Sequence, residues 1–517
     1  MALTKATFAM VEQGFANPLD YGAVGNGTTD DSAALTAAIA TGLDVYIPLG
    51  FTFATNGDIT GFVDNQRVFG SGTLKKIGPN TTRNIFLLPD LIENIVFEDI
   101  TLDGNIALYA PSNLITGIFG SVTRSITVKN CFFEGFGDCG IKLRDGARVL
   151  VDGCSFYNIN TNAIEVRLYT NDPRTGLPYP VRPENRDYRI VNNYFDKIDD
   201  GSGGALEGCG VNIASGSALY YLENVVVSNN TFSDVLRSIF TENNVAGGET
   251  RNFSVIGNTI SGNIRGAGVV ETKDGIGVVN GIDVTIMGNT IRNVGNFAPI
   301  GGFCAAVQVS GNACRNIVIS GNTFTDDSGD PDRTDYGVFL NETARVIVRS
   351  NAIQGMSVSA VGWTGTPSPL IADGNVGAEG EYSWGSPTPY VFQRTNIPAS
   401  AALTPAYPSN QTEWDEIPAP CRGAVVGLSV LLSTPITAGA ITFKAYSNSI
   451  HRTNLDITEA DFAGGVSFAK AISVTDATAI AAGERLRVYI TTDGSFAPTT
   501  LDALVVVTFD TSVKNTA

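Results

Sequence analysis

The chain has 517 residues, more than one compact core usually covers, so more than one structural unit is expected. Only 16% of the residues are charged while glycine occurs 57 times, a composition that favours strands joined by tight turns over helical bundles or disorder. The formal net charge of -18, with no bilayer-spanning apolar stretch and no apolar leader, argues against nucleic-acid and membrane partners and predicts folding in a cytoplasm.

Residues 1–44 are predicted to form an amino-terminal segment that ends in a capping helix. The helix is expected within residues 29–42, where Leu35, Ala38 and Ile39 share one face and Gly42 stands at the C-cap position. A short amphipathic helix at this point would cover the apolar end of a stacked fold.

A repeat of about thirty residues follows, and it predicts a solenoid over residues 45–378. Each copy has an aliphatic residue, an Asn three positions later and an apolar residue two positions after that, as in Val227, Asn230 and Phe232. Cys131 and Cys154 hold the Asn position in earlier copies, which favours a packing role for the whole column. The Asn column comprises Asn193, Asn230, Asn258, Asn289, Asn322 and Asn351.

Insertions interrupt the repeat at 169–187, 199–210, 293–304 and 325–336, and in solenoids such insertions often gather on a binding face. Residues 379–420 are rich in Pro and are predicted to be a linker. Alternating strands in residues 421–517 predict a compact β-sandwich.

Residues 20–27, DYGAVGNG, and the acidic pair Asp30 and Asp31 after them resemble the opening motif of the pectate-lyase-like right-handed β-helix, with Asn26 as the one departure. Residues 6–11, ATFAMV, are similar to the approach segment of bacteriophage tailspikes. The resemblance implies an all-β chain with a right-handed single-stranded parallel β-helix, an amino-terminal capping helix and a carboxy-terminal sandwich used for trimerisation or glycan binding.

For function, the resemblance to tailspikes implies a homotrimer on a virion tail, attached to the phage tail directly or through an adaptor protein. Its groove would bind, and usually cleave, a bacterial capsule or O-antigen polysaccharide at the cell surface. Polygalacturonases that share the opening motif use paired Asp residues with a nearby His. The single His here, His451, lies far beyond the repeats, which weakens a polygalacturonase interpretation.

Glycoside hydrolysis typically needs two carboxylates roughly 5 Å or 6.5 to 9.5 Å apart, and neighbouring coils lie about 4.8 Å apart. Glu242 and Glu271 are the first predicted catalytic pair, with Glu165 and Glu207 as alternates. Glu242 faces outward only if Ile239 points inward instead of Phe240. Aligning the strands predicts one outward row of Lys142, Glu165, Asn212, Glu271 and Gln308.

Substrate binding is predicted for residues that surround these carboxylates. Cations at Arg167 and Lys273 could hold a substrate carboxylate or lower the pKa of a neighbouring acid. No cofactor and no metal is predicted, because the seven Cys lack metal spacing and the Asp-rich stretch 326–335 lacks the Glu of a calcium loop. The remaining candidates are Asn212 and Gln308 on the outward row and Tyr169, Tyr179 and Tyr188, which either stack on sugar rings as aromatic platforms or pack their loop onto the β-helix.

Three functions are consistent with these residues. The first is an endo-acting glycoside hydrolase. The second is a polysaccharide lyase that acts by β-elimination on a uronate glycan, for which Arg167 and Lys273 would be suited. The third is a non-catalytic receptor-binding adhesin, because a fold does not dictate a function.

Overall fold

The protein is described by a computed structural model that covers residues 14–510 with short gaps, and the chain forms two compact units, 1–370 and 371–517. Among the described residues, no helix has both the length and the apolar character needed to cross a membrane. The gaps are 79–82, 109–113, 170, 172–183, 199–207, 218–220, 244–247, 263–273, 295–303, 328–333, 342, 357–358, 365–369, 374, 378–387, 395–396, 398–403, 406, 409–415, 419–423, 448–449, 452–454, 463–464, 472–484 and 499–500.

The amino-terminal helix spans Ser32–Ile39 and buries Leu35, Ala38 and Ile39, as predicted. Just before the helix, the Asp31 carboxylate accepts hydrogen bonds from the backbone amides of Val24 at 2.7 Å and Gly25 at 3.1 Å. Asp31 therefore ties Val24 and Gly25 of the opening motif to the start of the helix. Two 3-10 helices span Pro18–Tyr21 and Ile106–Leu108.

The rest of the first unit is a stack of coils whose strands form three parallel sheets, and each coil from Arg67–Phe69 to Ala344–Arg349 gives one strand to each sheet. Sheet 1 contains Phe15–Ala16, Asp44–Tyr46, Arg67–Phe69, Glu93–Glu98, Arg124–Lys129, Val149–Asp152, Arg186–Val191, Tyr221–Ser228, Glu249–Ile256, Gly281–Met287, Arg315–Ser320 and Ala344–Arg349. Sheet 2 contains Asn26–Asp30, Thr52–Thr55, Thr73–Lys76, Thr101–Asp103, Phe132–Glu134, Ser155–Ile159, Tyr194–Ile198, Thr231–Val235, Thr259–Ser261, Thr290–Arg292, Thr323–Thr325 and Ala352–Gln354. Sheet 3 has ten strands: Asn84–Leu87, Thr116–Ser121, Ile141–Arg144, Asn162–Tyr169, Cys209–Gly216, Arg237–Asn243, Ile276–Val279, Ala305–Ser310, Tyr336–Asn341 and Ser359–Thr364.

The Asn column lies at the turn between sheets 1 and 2, and its predicted packing role is confirmed. All six Asn side chains are 1–2% exposed. In each pair of neighbouring coils, the later Asn Oδ1 accepts hydrogen bonds from the backbone and side-chain nitrogens of the earlier Asn at 2.9–3.0 Å. Beside the column, the rings of Phe133, Phe156, Phe195 and Phe232 stack with centroids 4.6–5.0 Å apart.

The second unit is built from two antiparallel sheets that share one apolar core, to which Val430, Phe443, Val488 and Val505 contribute. One sheet contains Thr388–Arg394, Tyr407–Pro408, Ala424–Leu432, Ser467–Ala471 and Ala503–Asp510. The other contains Thr404–Pro405, Glu416–Pro418, Ile441–Ser447, Ile450–His451, Ile457–Thr458 and Arg485–Thr492. A short helix spans Glu459–Phe462, and the strands Leu370–Asp373 and Val376–Gly377 fall at the start of this part of the chain.

The segment 379–420 differs from the linker that its composition predicts. Its strand Thr388–Arg394 pairs along its whole length with Ala503–Asp510 in the first antiparallel sheet. Its three other described strands are two or three residues long and each ends at a Pro. Proline is compatible with such short strands because it removes only one hydrogen-bond donor from a ladder, so a Pro-rich composition does not exclude sheet structure.

Candidate functional site

The outer face of sheet 3 carries a row of side chains that change from coil to coil. Inward residues such as Ile164 and Val211 are buried, so alternation directs the residue after each of them outward. The outward positions pair in register as Lys142, Glu165, Asn212, Phe240, Gly277 and Gln308. The predicted row is therefore correct for four of its five members.

Glu242 faces outward because Ile239, and not Phe240, points into the core. Ile239 pairs with Val211 and is fully buried, while Glu242 pairs with Ala214 and its side chain is 32% exposed. The register that the sequence left open is thus the one that brings Glu242 onto the outer face.

The expected position of Glu271 in this row is wrong. The place between Phe240 and Gln308 belongs to Gly277, in the strand Ile276–Val279. A Cβ atom at Gly277 would lie 2.5 Å from the Phe240 ring, which explains why glycine suits this position. The alignment failed because the strand after Thr259–Ser261 begins only at Ile276, several residues later than the alignment expected. The predicted site residues Glu271, Lys273, Glu207 and Tyr179 lie outside the described residues.

Arg167 joins two outward carboxylates across two coils. Its Nη2 donates to Glu242 Oε2 at 3.2 Å, and its Nε lies 3.3 Å from Glu165 Oε1 in an ion pair without hydrogen-bond alignment. The strand between them presents Ala214, whose small side chain leaves space for the guanidinium to cross. The two negatively charged carboxylates of Glu165 and Glu242 are therefore held beside one shared cation, Arg167.

The two carboxylates differ in access. The Glu165 side chain is 4% exposed, accepts a hydrogen bond from Asn162 Nδ2 at 3.0 Å and lies 3.7 Å from Lys142 Nζ. Glu242 instead receives both of its donors, Arg167 and Asn212 Nδ2 at 3.2 Å each, on Oε2. Within the described part of the chain no group donates to its Oε1, so Glu242 is the carboxylate that an incoming ligand can reach.

Asp138 extends the charge cluster and was missed by the sequence analysis. Lys142 Nζ donates to both of its carboxylate oxygens at 3.0 and 3.1 Å, and Thr116 Oγ1 donates at 3.0 Å. Burial disfavours its charged form, but the Lys142 charge and these hydrogen bonds outweigh burial and hold the pKa of Asp138 below its usual range. The carboxylates and cations therefore alternate from Asp138 to Glu242.

Asp274, also missed, sits two residues before the inward Ile276. It is 1% exposed, and the backbone amide of Ala305 donates to it at 3.3 Å. With its NH2 group turned toward Asp274, Gln308 donates to Oδ2 at 2.5 Å and to Oδ1 at 3.1 Å. Burial raises the pKa of Asp274 to about 7, against the opposing charge of Arg237. Asp138 and Asp274 both stand just before a sheet 3 strand, a position that a search for carboxylates at strand starts would have found.

The remaining predicted binding residues have other surroundings. Tyr169 ends its strand with its ring 5.2 Å from the Arg144 guanidinium carbon. Tyr188 is fully buried and its hydroxyl donates to the Gly146 carbonyl, so its expected role as a sugar platform is wrong. Asn212 and Gln308 hold Glu242 and Asp274 instead of standing free.

Metal ligation receives no support from the part of the chain that the structure describes. No group of three His, Cys, Asp or Glu side chains there is arranged to hold an ion. In the Asp-rich stretch, Asp326 accepts hydrogen bonds from the backbone and hydroxyl of Thr334 at 2.8 and 2.7 Å, and Asp327 pairs with Arg292 at 2.5 Å.

Comparison with known proteins identifies the fold of the first unit. Residues 91–246 match the family described as "Right handed beta helix region". The first unit is a right-handed parallel β-helix. No curated protein sequence matches the chain.

Solved structures with a similar fold have diverse names. The Dettilon tailspike protein has 14% identity and a TM-score of 0.49, covering 99% of this chain and 97% of its own. The A-module of the Azotobacter vinelandii mannuronan C-5 epimerase AlgE6 has 20% identity and a TM-score of 0.42, covering 71% and 100%. A Thermotoga maritima exopolygalacturonase has 15% identity and a TM-score of 0.43, covering 71% and 92%. At such identities these proteins resemble the chain in fold alone.

Proposed function

We propose that the protein is an endo-acting glycoside hydrolase that cleaves a bacterial surface polysaccharide, capsule or O-antigen, on the outer face of sheet 3. The observation that carries this proposal is the reachable carboxylate of Glu242, held by Arg167 and Asn212 and one coil away from the buried carboxyl of Asp274. Paired carboxyl groups with opposite protonation preferences are the basis of glycoside hydrolysis.

Glu242 takes the role of the base in this proposal. Arg167 and Asn212 fix one of its oxygens by hydrogen bonds, one of them charge-assisted, and leave the other oxygen to activate a water molecule. Glu165 and Lys142 position Arg167 and the neighbouring charges rather than contact the scissile bond, because Glu165 is held between the Lys142 and Arg167 cations.

Asp274 takes the role of the acid. Its raised pKa of about 7 keeps a proton available near neutrality, and Gln308 orients the carboxyl group. Its Oδ2 lies 3.6 Å from where a Gly277 Cβ would stand, in the strand beside that of Glu242. Gly277 itself is one coil and two residues away from Glu242, so strand spacing and rise put the Cα atoms of Gly277 and Glu242 about 8 Å apart.

The proposed biological setting rests on two resemblances together, that of residues 20–27 to the opening motif of pectate-lyase-like β-helices and that of residues 6–11 to the approach segment of bacteriophage tailspikes. We extend the proposal accordingly to a homotrimeric tailspike of a phage virion, carried on the tail directly or through an adaptor protein and acting outside the host cell. Analytical ultracentrifugation tests the trimer, and labelling of purified virions with an antibody against the protein tests the tail location.

Lyase chemistry is the second candidate, and the position of Arg167 favours it. A guanidinium between two carboxylates, with its side chain 22% exposed, could neutralise the carboxylate of a uronate while Glu242 removes a proton. Elimination leaves an unsaturated product that absorbs ultraviolet light, whereas hydrolysis leaves saturated ends. Retention of an intact glycan would instead identify an adhesin.

The deciding experiment incubates the protein with purified capsular and O-antigen polysaccharides and measures new reducing ends and product masses. Glu242→Gln and Asp274→Asn are each expected to abolish most of the cleavage. Glu98→Gln is the matched control, because Glu98 also pairs with an arginine, at 3.4 Å, and is 29% exposed, but lies on sheet 1. Full cleavage by either groove variant would contradict its assigned role.

A further inference from the structure

A pocket of about 270 Å³ adjoins the charge cluster at the early coils of sheet 3. Among the residues that the structure describes, its lining includes the basic side chains of Arg83, Lys142 and Arg144 and one acid, Asp138. The volume is slightly below the roughly 300 to 1,000 Å³ that drug-sized ligands occupy, so it is suited to one sugar ring.

The charges in this pocket do not cancel. Asp138 is already bonded to Lys142 through both oxygens. Among the residues that the structure describes, no carboxylate lies within 4.0 Å of the Arg83 or Arg144 guanidinium. The Arg144 Nε is buried and has no hydrogen-bond partner there. Two such cations in one concavity are unusual in a chain of net charge -18, and their local potential favours an anionic ligand.

The walls of the pocket are suited to the ring of a sugar as well as to its anionic group. The guanidinium carbon of Arg144 lies 5.0 Å from the Phe119 ring and 5.2 Å from the Tyr169 ring, which restrict its orientation. Phe119 and Leu114, which is 42% exposed, give the pocket apolar walls. An apolar wall beside oriented cations matches the apolar face and anionic substituent of an acidic sugar.

We infer that this pocket binds an anionic sugar residue of the glycan, so that the substrate of the neighbouring carboxylates is an acidic polysaccharide. The inference rests on the proposed function in placing the pocket beside the cleavage site. Lys142 connects the two, because its ammonium contacts Asp138 in the pocket and Glu165 in the charge cluster. A carboxylate and a phosphate on the sugar share the required chemistry, since an arginine can bind either by two parallel hydrogen bonds.

The test uses the full chain carrying Glu242→Gln, to slow cleavage, on an array of acidic and neutral bacterial polysaccharides. Retention of acidic glycans over neutral ones is expected. Each retained glycan is then assayed after chemical reduction of its carboxyl groups and after removal of its phosphates. At least a tenfold loss of affinity after one treatment is expected and identifies the anion, whereas equal affinity after both treatments overturns the inference.

Pocket variants make the assignment specific. Arg83→Gln and Arg144→Gln, each added to the same background, are expected to weaken binding of the acidic glycan at least tenfold. Arg251→Gln is the matched control, since Arg251 also stacks on a ring, Tyr221, at 3.8 Å, but lies on sheet 1. Unchanged binding by Arg83→Gln, whose folding is checked by its melting temperature, overturns the inference even if Arg144→Gln fails to fold.

Different experimental results would overturn the anionic subsite and the proposed hydrolysis. Cleavage of a neutral glycan by the wild-type protein would uphold hydrolysis and overturn the anionic subsite. Retention of an acidic glycan that the wild-type protein never cleaves would uphold the subsite and overturn hydrolysis. An array on which no acidic glycan is retained above the neutral ones overturns the subsite.

Discussion

At the turn between sheets 1 and 2 the same amide returns in successive coils, whereas on the outer face of sheet 3 the side chain changes in every coil. Asn230 and Asn258 repeat one hydrogen-bond pattern with their neighbours. Glu165, Asn212 and Phe240 occupy equivalent positions with no shared chemistry. Residues that recur in every coil of a solenoid are therefore those that the stacking of coils requires. Positions where the residue differs from coil to coil are those where individual side chains can serve a ligand.

The largest effect expected from this contrast is loss of cleavage at the non-repeating face. Replacing Glu242 by Gln removes the proposed base while keeping its size, and loss of general acid–base catalysis typically costs about 10² to 10⁴ in rate. Initial rates of reducing-end release measure the effect. The Glu98→Gln control should keep the wild-type rate. An equal loss of rate in both variants would contradict a catalytic role for the outer face of sheet 3.

A smaller loss of rate is expected from Arg167→Lys. A lysine keeps the charge but cannot contact Glu165 and Glu242 with the fixed geometry of a guanidinium, so Glu242 should shift. Misplacement by about 1 Å can cost up to about 10²-fold in rate. The comparison of kcat with thermal stability checks this, because a variant that loses stability without losing kcat would assign Arg167 to folding alone.

At the repeating turn the expected effect is on stability and not on rate. Asn258→Ala leaves the buried donors of Asn230 without their acceptor, which should lower the free energy of unfolding by about 1 to 3 kcal/mol. Denaturant unfolding of this variant measures the loss. Thr259→Ala, at the exposed neighbouring residue, is the control. Its free energy of unfolding is expected to stay within about 0.5 kcal/mol of the wild-type value. Reduced kcat of the folded Asn258→Ala protein would place the column in the site.

The smallest expected effect concerns pH. Because folding raises the pKa of Asp274 from 3.8 to about 7, the folded chain binds this proton more tightly than the unfolded chain between those values. Its contribution to stability is therefore full at acidic pH and is lost as the pH rises through about 7. Unfolding measured on both sides of neutrality should show this decline in the wild type and a weaker one in Asp274→Asn. Identical pH dependence of both proteins would contradict the assigned protonation.

The sequence predicts the scaffold better than the site for a physical reason. The Asn column and the inward aliphatic residues recur because each coil must bury the same core, so one sequence contains many copies of the signal. The strand Ile276–Val279 begins later than the repeat predicts, and its Gly277 lies against the Phe240 ring, a contact that has no repeat in the sequence.

Charge environments were even less predictable. Asp138 and Asp274 look alike in sequence as acids just before a strand. Lys142 bonds to Asp138 and lowers its pKa, whereas burial dominates at Asp274 and raises its pKa. The difference depends on which side chains the adjacent coils supply, and that is decided by tertiary packing.

The central claim, hydrolysis at Glu242, is tested most directly by digesting an acidic surface polysaccharide in water labelled with heavy oxygen and weighing the products. The account predicts that each new reducing end carries one heavy oxygen atom, that no unsaturated product forms, and that Glu242→Gln yields almost no product while Glu98→Gln matches the wild type. Products without the label, or unchanged cleavage by Glu242→Gln, would contradict it.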